Sequence, residues 1–287
     1  MSWFTLNIFG VLSVAAAELF QQNILNKEKP ISPRTSSVLG YFIQSLIILP
    51  FAYLSYRNDF FGVFASQRVL LFLAVTILGS FATVFYLRSF KVENISLSGI
   101  FGSLSIVVST ILGIYFFNES VTGMKFLGIG LIIIAIFSLN FRNAVLEKNH
   151  FLGLLSGALF GICYTIDKGL VETIPPIVYI FWNFLFLSFF AFIANPKEVI
   201  SSARGNISGV YKLIIFSGIF YLLYNIFTFT AYTVGGEVGK VDAINYGQVF
   251  LIILFEYIVL KHRSSLGRKL VAAAMAFAGI FILGVYR

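Results

Sequence analysis

The sequence predicts an all-α membrane protein, with about ten transmembrane helices in a 5+5 inverted repeat. Three observations predict it. Hydrophobic residues make up 59% of the 287 positions and charged residues only 11%, against roughly 25% charged in a soluble domain. That is too few to coat a solvated surface, so the outside must face something apolar. Ten apolar runs each approach the roughly 20 residues that cross about 30 Å of hydrocarbon. Finally, a shift of 143 residues lays every helix predicted in the first half on one in the second.

The runs in order are Trp3–Leu25, Thr35–Tyr56, Arg68–Phe90, Ile95–Phe117 and Gly123–Phe141, then Phe151–Val171, Pro176–Ala194, Tyr211–Thr233, Val238–Leu260 and Leu266–Tyr286. The first run is read as a retained helix. Ala15-Ala16-Ala17 before Glu18 looks like a cleavage site, but Met1–Gly10 lacks the Lys or Arg of a signal segment. Breakers punctuate the gaps: Pro30 and Pro33, Arg57-Asn58-Asp59, Pro175-Pro176, Asn195-Pro196 and Gly235-Gly236. No gap is long enough for a soluble domain.

The two units are residues 1–143 and 144–287. Under the shift, Gly10, Leu12, Ser13 and Ala15 fall on Gly153, Leu155, Ser156 and Ala158, and Leu127 and Ala135 on Leu270 and Ala278. The matched spacing carries more weight than these identities. Five helices per unit is an odd number, so the units enter the bilayer in opposite senses, with a site expected near the midplane between them. The gaps after runs 1, 3, 5, 7 and 9, counted with the half-embedded Arg88, Lys212, Arg268 and Lys269 at the adjoining run ends, hold 14 of the 20 Lys and Arg residues. The positive-inside rule then puts both termini outside.

Composition also narrows the chemistry. The net charge of +8 comes from residues in short gaps such as Asn26–Arg34 and Lys261–Lys269, where they would meet lipid headgroups rather than nucleic acid. A lone cysteine, Cys163, excludes an intrachain disulfide, and with His150 and His262 the only histidines no metal site is expected. Nothing resembles a phosphate-binding P-loop, and no cofactor is expected.

Ile100-Phe101-Gly102-Ser103-Leu104-Ser105, then Gly113-Ile114-Tyr115-Phe116-Phe117-Asn118-Glu119-Ser120-Val121-Thr122 and Phe126-Leu127-Gly128-Ile129-Gly130-Leu131-Ile132, resemble the drug/metabolite transporter superfamily, EamA type. In that family an apolar helix ends in Gly-Glu-x-Leu-Thr and a Gly-containing apolar helix follows. The ten-helix, five-plus-five count is similar over the whole chain. The proline usual in the family's fourth helix is replaced near Ser105 and near Gln248, and the second copy has His262 in place of the motif glutamate. The resemblance implies cytoplasmic termini, opposite to the charge count. Ala16-Ala17-Glu18-Leu19 through Asn26-Lys27 also resembles the first helix of the small multidrug resistance proteins, which implies for Glu18 a role in binding protons and cationic substrate alternately.

Ionised side chains in a bilayer are costly, and so mark function by default. Glu18, with Gln21 and Gln22 on its face, is the candidate for proton coupling and, with Gln22, for substrate binding; the alternative is a carboxylate near the interface bonded to Gln22. Tyr221, Tyr224, Asn225, Thr228 and Tyr232 share one helical face. The first four are read as cavity lining suited to a cation or a flat ring, against plain interhelical bonding. Asp242, Asn245 and Tyr246 share another face after Gly235, Gly236 and Gly239, either as an irregular ligand-exposing start or as a helix capped by a solvated Asp242. Trp182 and Asn183 lie on a face with Tyr179 and Phe186, Trp182 alternatively in an interfacial belt. Glu256 is a second intramembrane acid, read as a shielded pair or a second coupling group. Asp167-Lys168 reads as a solvated mouth or an ion pair, and Glu119 as a structural turn residue. The small residues Gly153, Gly157 and Gly161, Ser105, Ser109 and Gly113, and Ala272 and Ala276 read as packing faces.

These readings point to a secondary transporter of a small organic metabolite, amino-acid-like or similarly polar, working by alternating access with or without proton coupling. The alternatives are a multidrug or organic-cation/proton antiporter and, in another class, a membrane enzyme or lipid-handling protein. No catalytic set is evident, so no enzyme is expected. The expected partners are a small-molecule substrate and the lipid bilayer, as a monomer or homodimer in a bacterial or archaeal cytoplasmic membrane.

Overall fold

The computed structural model describes residues 1–27, 30–65, 67–89, 102–140, 148–259 and 266–285. The start of the fourth run (95–101), the link 141–147, His262 and the side chains of His150 and Glu256 lie outside the described residues. The described residues form eleven α-helices: α1 (Trp3–Leu25), α2 (Pro33–Ser55), α3 (Val69–Ser89), α4 (Leu104–Phe117), α5 (Gly123–Asn140), α6 (Lys148–Val171), α7 (Pro176–Ala194), α8 (Pro196–Thr233), α9 (Val238–Asn245), α10 (Gln248–Val259) and α11 (Leu266–Val285). Among the described residues six helices are long and apolar enough to cross a membrane, in α1, α2, α3, α6, α7 and α8, and shorter apolar helices lie in α4, α5 and α11. Large apolar side chains such as Leu54, Leu70, Tyr115 and Phe281 are exposed, as a lipid-facing surface requires.

Helix ends follow local chemistry. The Ser2 and Ser32 side chains accept from the Thr5 and Thr35 N–H groups, capping α1 and α2. Pro33, Pro176 and Pro196 each sit where a first-turn N–H needs no partner. The largest departure from the predicted spans is α8, which starts at Pro196 instead of Tyr211. Asn195 caps it by accepting from the Glu198 N–H, and at about 1.5 Å per residue its 38 residues overrun the hydrocarbon. Glu198 on this extension meets Arg34 at 3.1 Å and Arg88 at 3.9 Å. The ninth predicted run is divided into α9 and α10.

Packing pairs α1 with α8 and α3 with α6, α2 with α8 and α3 with α7, and α4 with α6 and α1 with α9, while α2 packs on α7 and α5 on α11. Lipid supplies no hydrophobic drive between helices, so close approach depends on small residues. A Cβ on Gly161 of α6 would meet Val108 Cβ at 2.6 Å and Ser105 O at 2.8 Å on α4. A Cβ on Gly279 would lie 2.6 Å from Gly128 O, and one on Gly128 3.1 Å from Gly279 O, so α5 and α11 meet backbone to backbone. Gly161→Leu should therefore push α4 from α6 at an overpacking cost of about 1–3 kcal/mol, seen as a lower thermal midpoint in detergent. An unchanged midpoint would show that this contact can relax.

Candidate functional site

A cavity of about 160 Å³ lies between the helices, lined by side chains from α1, α2, α3, α6, α7, α8, α9 and α10. On α1, Glu18 reaches it directly after Ala15-Ala16-Ala17. Its Oε1 accepts from Tyr86 Oη of α3 at 2.6 Å and from Gln248 Nε2 of α10 at 3.0 Å. This rules out a solvated carboxylate bonded to Gln22. Asp242 of α9 is buried too, its Oδ2 accepting from Ser105 and Ser109 Oγ of α4 at 2.8 and 2.9 Å, so it is no solvated cap. The two serines, expected only to pack, supply donors. Asp167 of α6 lines the same space and accepts from Tyr179 Oη.

Of the residues singled out in the sequence, Glu18, Asn183, Tyr221, Tyr224, Asn225, Asp242, Asn245 and Tyr246 line this cavity together. Gln22, Trp182 and Thr228 do not. Gln22 is half-buried beside the lining residue Gln21, one position being a turn of about 100°. Trp182 points to an aromatic cluster: its indole N–H donates to Phe60 O at 2.6 Å, and its ring packs on Phe60, Phe61, Phe64 and Phe181. Thr228 is buried against Gly10, where a Cβ would lie 3.4 Å from its Oγ1. The sequence reading missed Tyr41, Gln44, Thr83, Tyr86 and Tyr164 as lining residues. Tyr41 and Gln44, three apart in an apolar run, were the available signal.

A second polar assembly lies where α4 and α6 end and α9 begins. Asn118 adopts the left-handed conformation, φ 51°, and turns Glu119 back onto α4. A Cβ on Gly113 would meet Glu119 Oε2 at 2.6 Å, so the fold-back favours a glycine six residues earlier. Glu119 pairs with Lys125 at 3.2 Å and Lys168 at 3.1 Å, and its Oε1 accepts from the Val238 N–H at 2.5 Å. Glu237 pairs with Lys125 at 2.6 Å and Lys240 at 3.1 Å and accepts from Ser120 Oγ at 2.7 Å. Burial works against the charge on Glu237, but the bonds from Lys125 and Ser120, the charge of Lys125 and the bond from Lys240 outweigh it and hold its carboxyl below the usual range. Lys168 is therefore neither Asp167's ion pair nor part of a solvated mouth. Asn7, near the start of α1, donates to Val241 O at 3.0 Å. That places the network at the end where α1 begins, whereas the cavity extends to Gln21, Ser36 and Ser37 at the other end.

The model of the EamA-like transporter family matches residues 1–141 and again 148–285. The chain belongs to the EamA-like transporter family. It is accordingly a multi-pass integral membrane protein and a transporter of the drug/metabolite superfamily, in a family of transporters rather than enzymes. Comparison with curated proteins gives no match. One solved structure, titled only "Crystal structure of protein", is similar with a TM-score of 0.74 at 13% identity, over 98% of this chain and 95% of its own. At that identity the likeness concerns the fold alone.

Proposed function

We propose that this EamA-like protein is a secondary transporter in which two five-helix units, residues 1–143 and 144–287, lie oppositely inserted and expose the cavity to each side of the membrane in turn. The packing pattern supports the pairing. Exchanging each of the first five spans for its counterpart in the second five, with α9 and α10 counted as one span, turns α1–α8 into α6–α3, α2–α8 into α7–α3 and α4–α6 into α9–α1, and leaves α2–α7 and α5–α11 unchanged. Rocking of one unit against the other about a midplane site is the expected motion of such a repeat. The ion-pair network at one end is the closure that has to part.

The observation that carries the solute class is the cavity's charge. Its lining holds Glu18, Asp167 and Asp242, six tyrosines and the six amide side chains of Gln21, Gln44, Asn183, Asn225, Asn245 and Gln248, and no Lys or Arg among the described residues. Lys168 and Lys240, the nearby positive charges that would suit an anion, are held by Glu119 and Glu237. Acceptor oxygens and aromatic faces suit a solute with an amine or other cationic group, whether the amino end of an amino-acid-like metabolite or an organic cation. Glu18 is the group we assign to proton coupling.

The test is counterflow in proteoliposomes with a panel of labelled amino acids, primary amines and quaternary ammonium compounds, with organic anions as controls. Accumulation of at least one cationic or amine-bearing solute is expected. Counterflow of the anions alone would overturn the solute class, and turnover of a solute into product in place of movement would overturn transport.

A further inference from the structure

Between α9 and α10 the backbone leaves the helical pattern at Tyr246-Gly247. The Gly247 N–H bonds Ile244 O at 2.8 Å and the Val249 N–H bonds Tyr246 O at 3.1 Å, each three residues back. The donors that a continuous helix would send to Ala243 O and Asn245 O are thereby diverted. Gly247 permits the kink, since a Cβ there would lie 2.8 Å from both Ile244 O and Ile280 Cδ1. Three side-chain oxygens flank the break without a hydrogen-bond partner in the protein: Asp242 Oδ1, Asn245 Oδ1 and Gln248 Oε1. Their residues are 1%, 6% and 8% exposed, and all three line the cavity.

These groups share a polarity. The amide nitrogens are committed elsewhere: Asn245 Nδ2 donates to Tyr224 Oη at 3.2 Å, and Gln248 Nε2 donates to Glu18 at 3.0 Å, a carboxylate that when ionised is met only by a donor. The oxygens are left for a ligand. A buried acceptor without a partner costs about 1–3 kcal/mol, and three within seven residues favour something that brings only positive charge. The C-terminal end of α9, carrying the negative end of the helix dipole, points the same way, as do the interrupted helices at which transporters coordinate small cations.

We propose that the α9–α10 break is a binding site for a compact monovalent cation, an alkali-metal ion or a primary ammonium group, held by Asp242, Asn245 and Gln248. Asp242 supplies the charge, with its other oxygen anchored by Ser105 and Ser109, while the two amide carbonyls complete the shell. The site adds to the transport reading but does not depend on it, because it is tested at equilibrium and without a membrane gradient.

The experiment measures thermal unfolding of the full chain in detergent, titrated with NaCl, KCl or methylammonium chloride while tetramethylammonium chloride holds ionic strength constant. Tetramethylammonium has no N–H to donate and is too bulky to be compact. A saturable rise of a few degrees in Tm is expected with at least one of the three salts. A rise with methylammonium alone identifies an ammonium site, and one with Na⁺ or K⁺ an alkali-ion site. Asp242→Asn, close to isosteric, should weaken the apparent affinity at least about tenfold, and Gln248→Met should weaken it while keeping the side chain's length. If all four salts give the same Tm at equal ionic strength, or if both variants respond like the wild type, the cation site is wrong even where counterflow shows transport.

Discussion

Glu119→Leu should destabilise the protein by about 3–5 kcal/mol, the usual penalty for removing one partner of a buried ion pair. Lys125 and Lys168, both buried, would lose the carboxylate that meets each of them within 3.2 Å, and the Val238 N–H would lose its acceptor. Lys125 keeps Glu237 at 2.6 Å, whereas Lys168 keeps only the exposed Glu172 at 3.9 Å, so Lys168 would lose the more. The measurement is denaturant unfolding in detergent, with Lys168→Met as the second arm of a double-mutant cycle. Replacing both charges by apolar groups should recover part of the loss, since a desolvated pair costs nearly what it returns. A single variant within about 0.5 kcal/mol of the wild type would place the network's weight elsewhere.

Glu18→Gln should abolish uptake driven by a pH gradient while the chain stays folded. The carboxylate is buried among Tyr86 and Gln248, with no Lys or Arg in the cavity lining among the described residues. An ionised group in that setting costs about 2.5–3.5 kcal/mol on insertion scales, a factor of order 100 in an equilibrium. A proton or a cationic solute group can each relieve that cost, and competition between them is what couples the two fluxes. Glutamine keeps the shape and an acceptor but has no charge to relieve. Accumulation at the wild-type rate under the same gradient would show that the proton travels by another group, with Asp167 and Asp242 the next to test.

What could be read beforehand follows from range in the sequence. Apolar runs and breakers are local, and they located the helices to within a few residues at most ends. The start of α8 was misplaced because Lys197, Glu198 and Arg204 read as a polar gap, although Asn195-Pro196 is also a helix-start signal. The break at Tyr246-Gly247 was invisible, since one glycine between apolar stretches carries no periodicity signal and only the contact with Ile280 shows why it is there. Glu18 stood out because charge is rare in its surroundings. Its partners did not, being 68 and 230 residues away. Trp182 and Asn183 were assigned together, yet adjacent positions on a helix face different neighbours, and here one meets the cavity and the other the Phe60 linker. The serines of α4 looked like spacers because their acceptor, Asp242, lies on a helix more than 130 residues later.

The backbone contact of Gly128 with Gly279 has its own consequence. Among the described residues none of α5 or α11 lines the cavity, so a methyl group added at either glycine should change how long the protein lasts in the bilayer without altering what it prefers to carry. Variation among descendants of this chain can then tune abundance along one pair of helices and cargo along the others, each with little interference from the other.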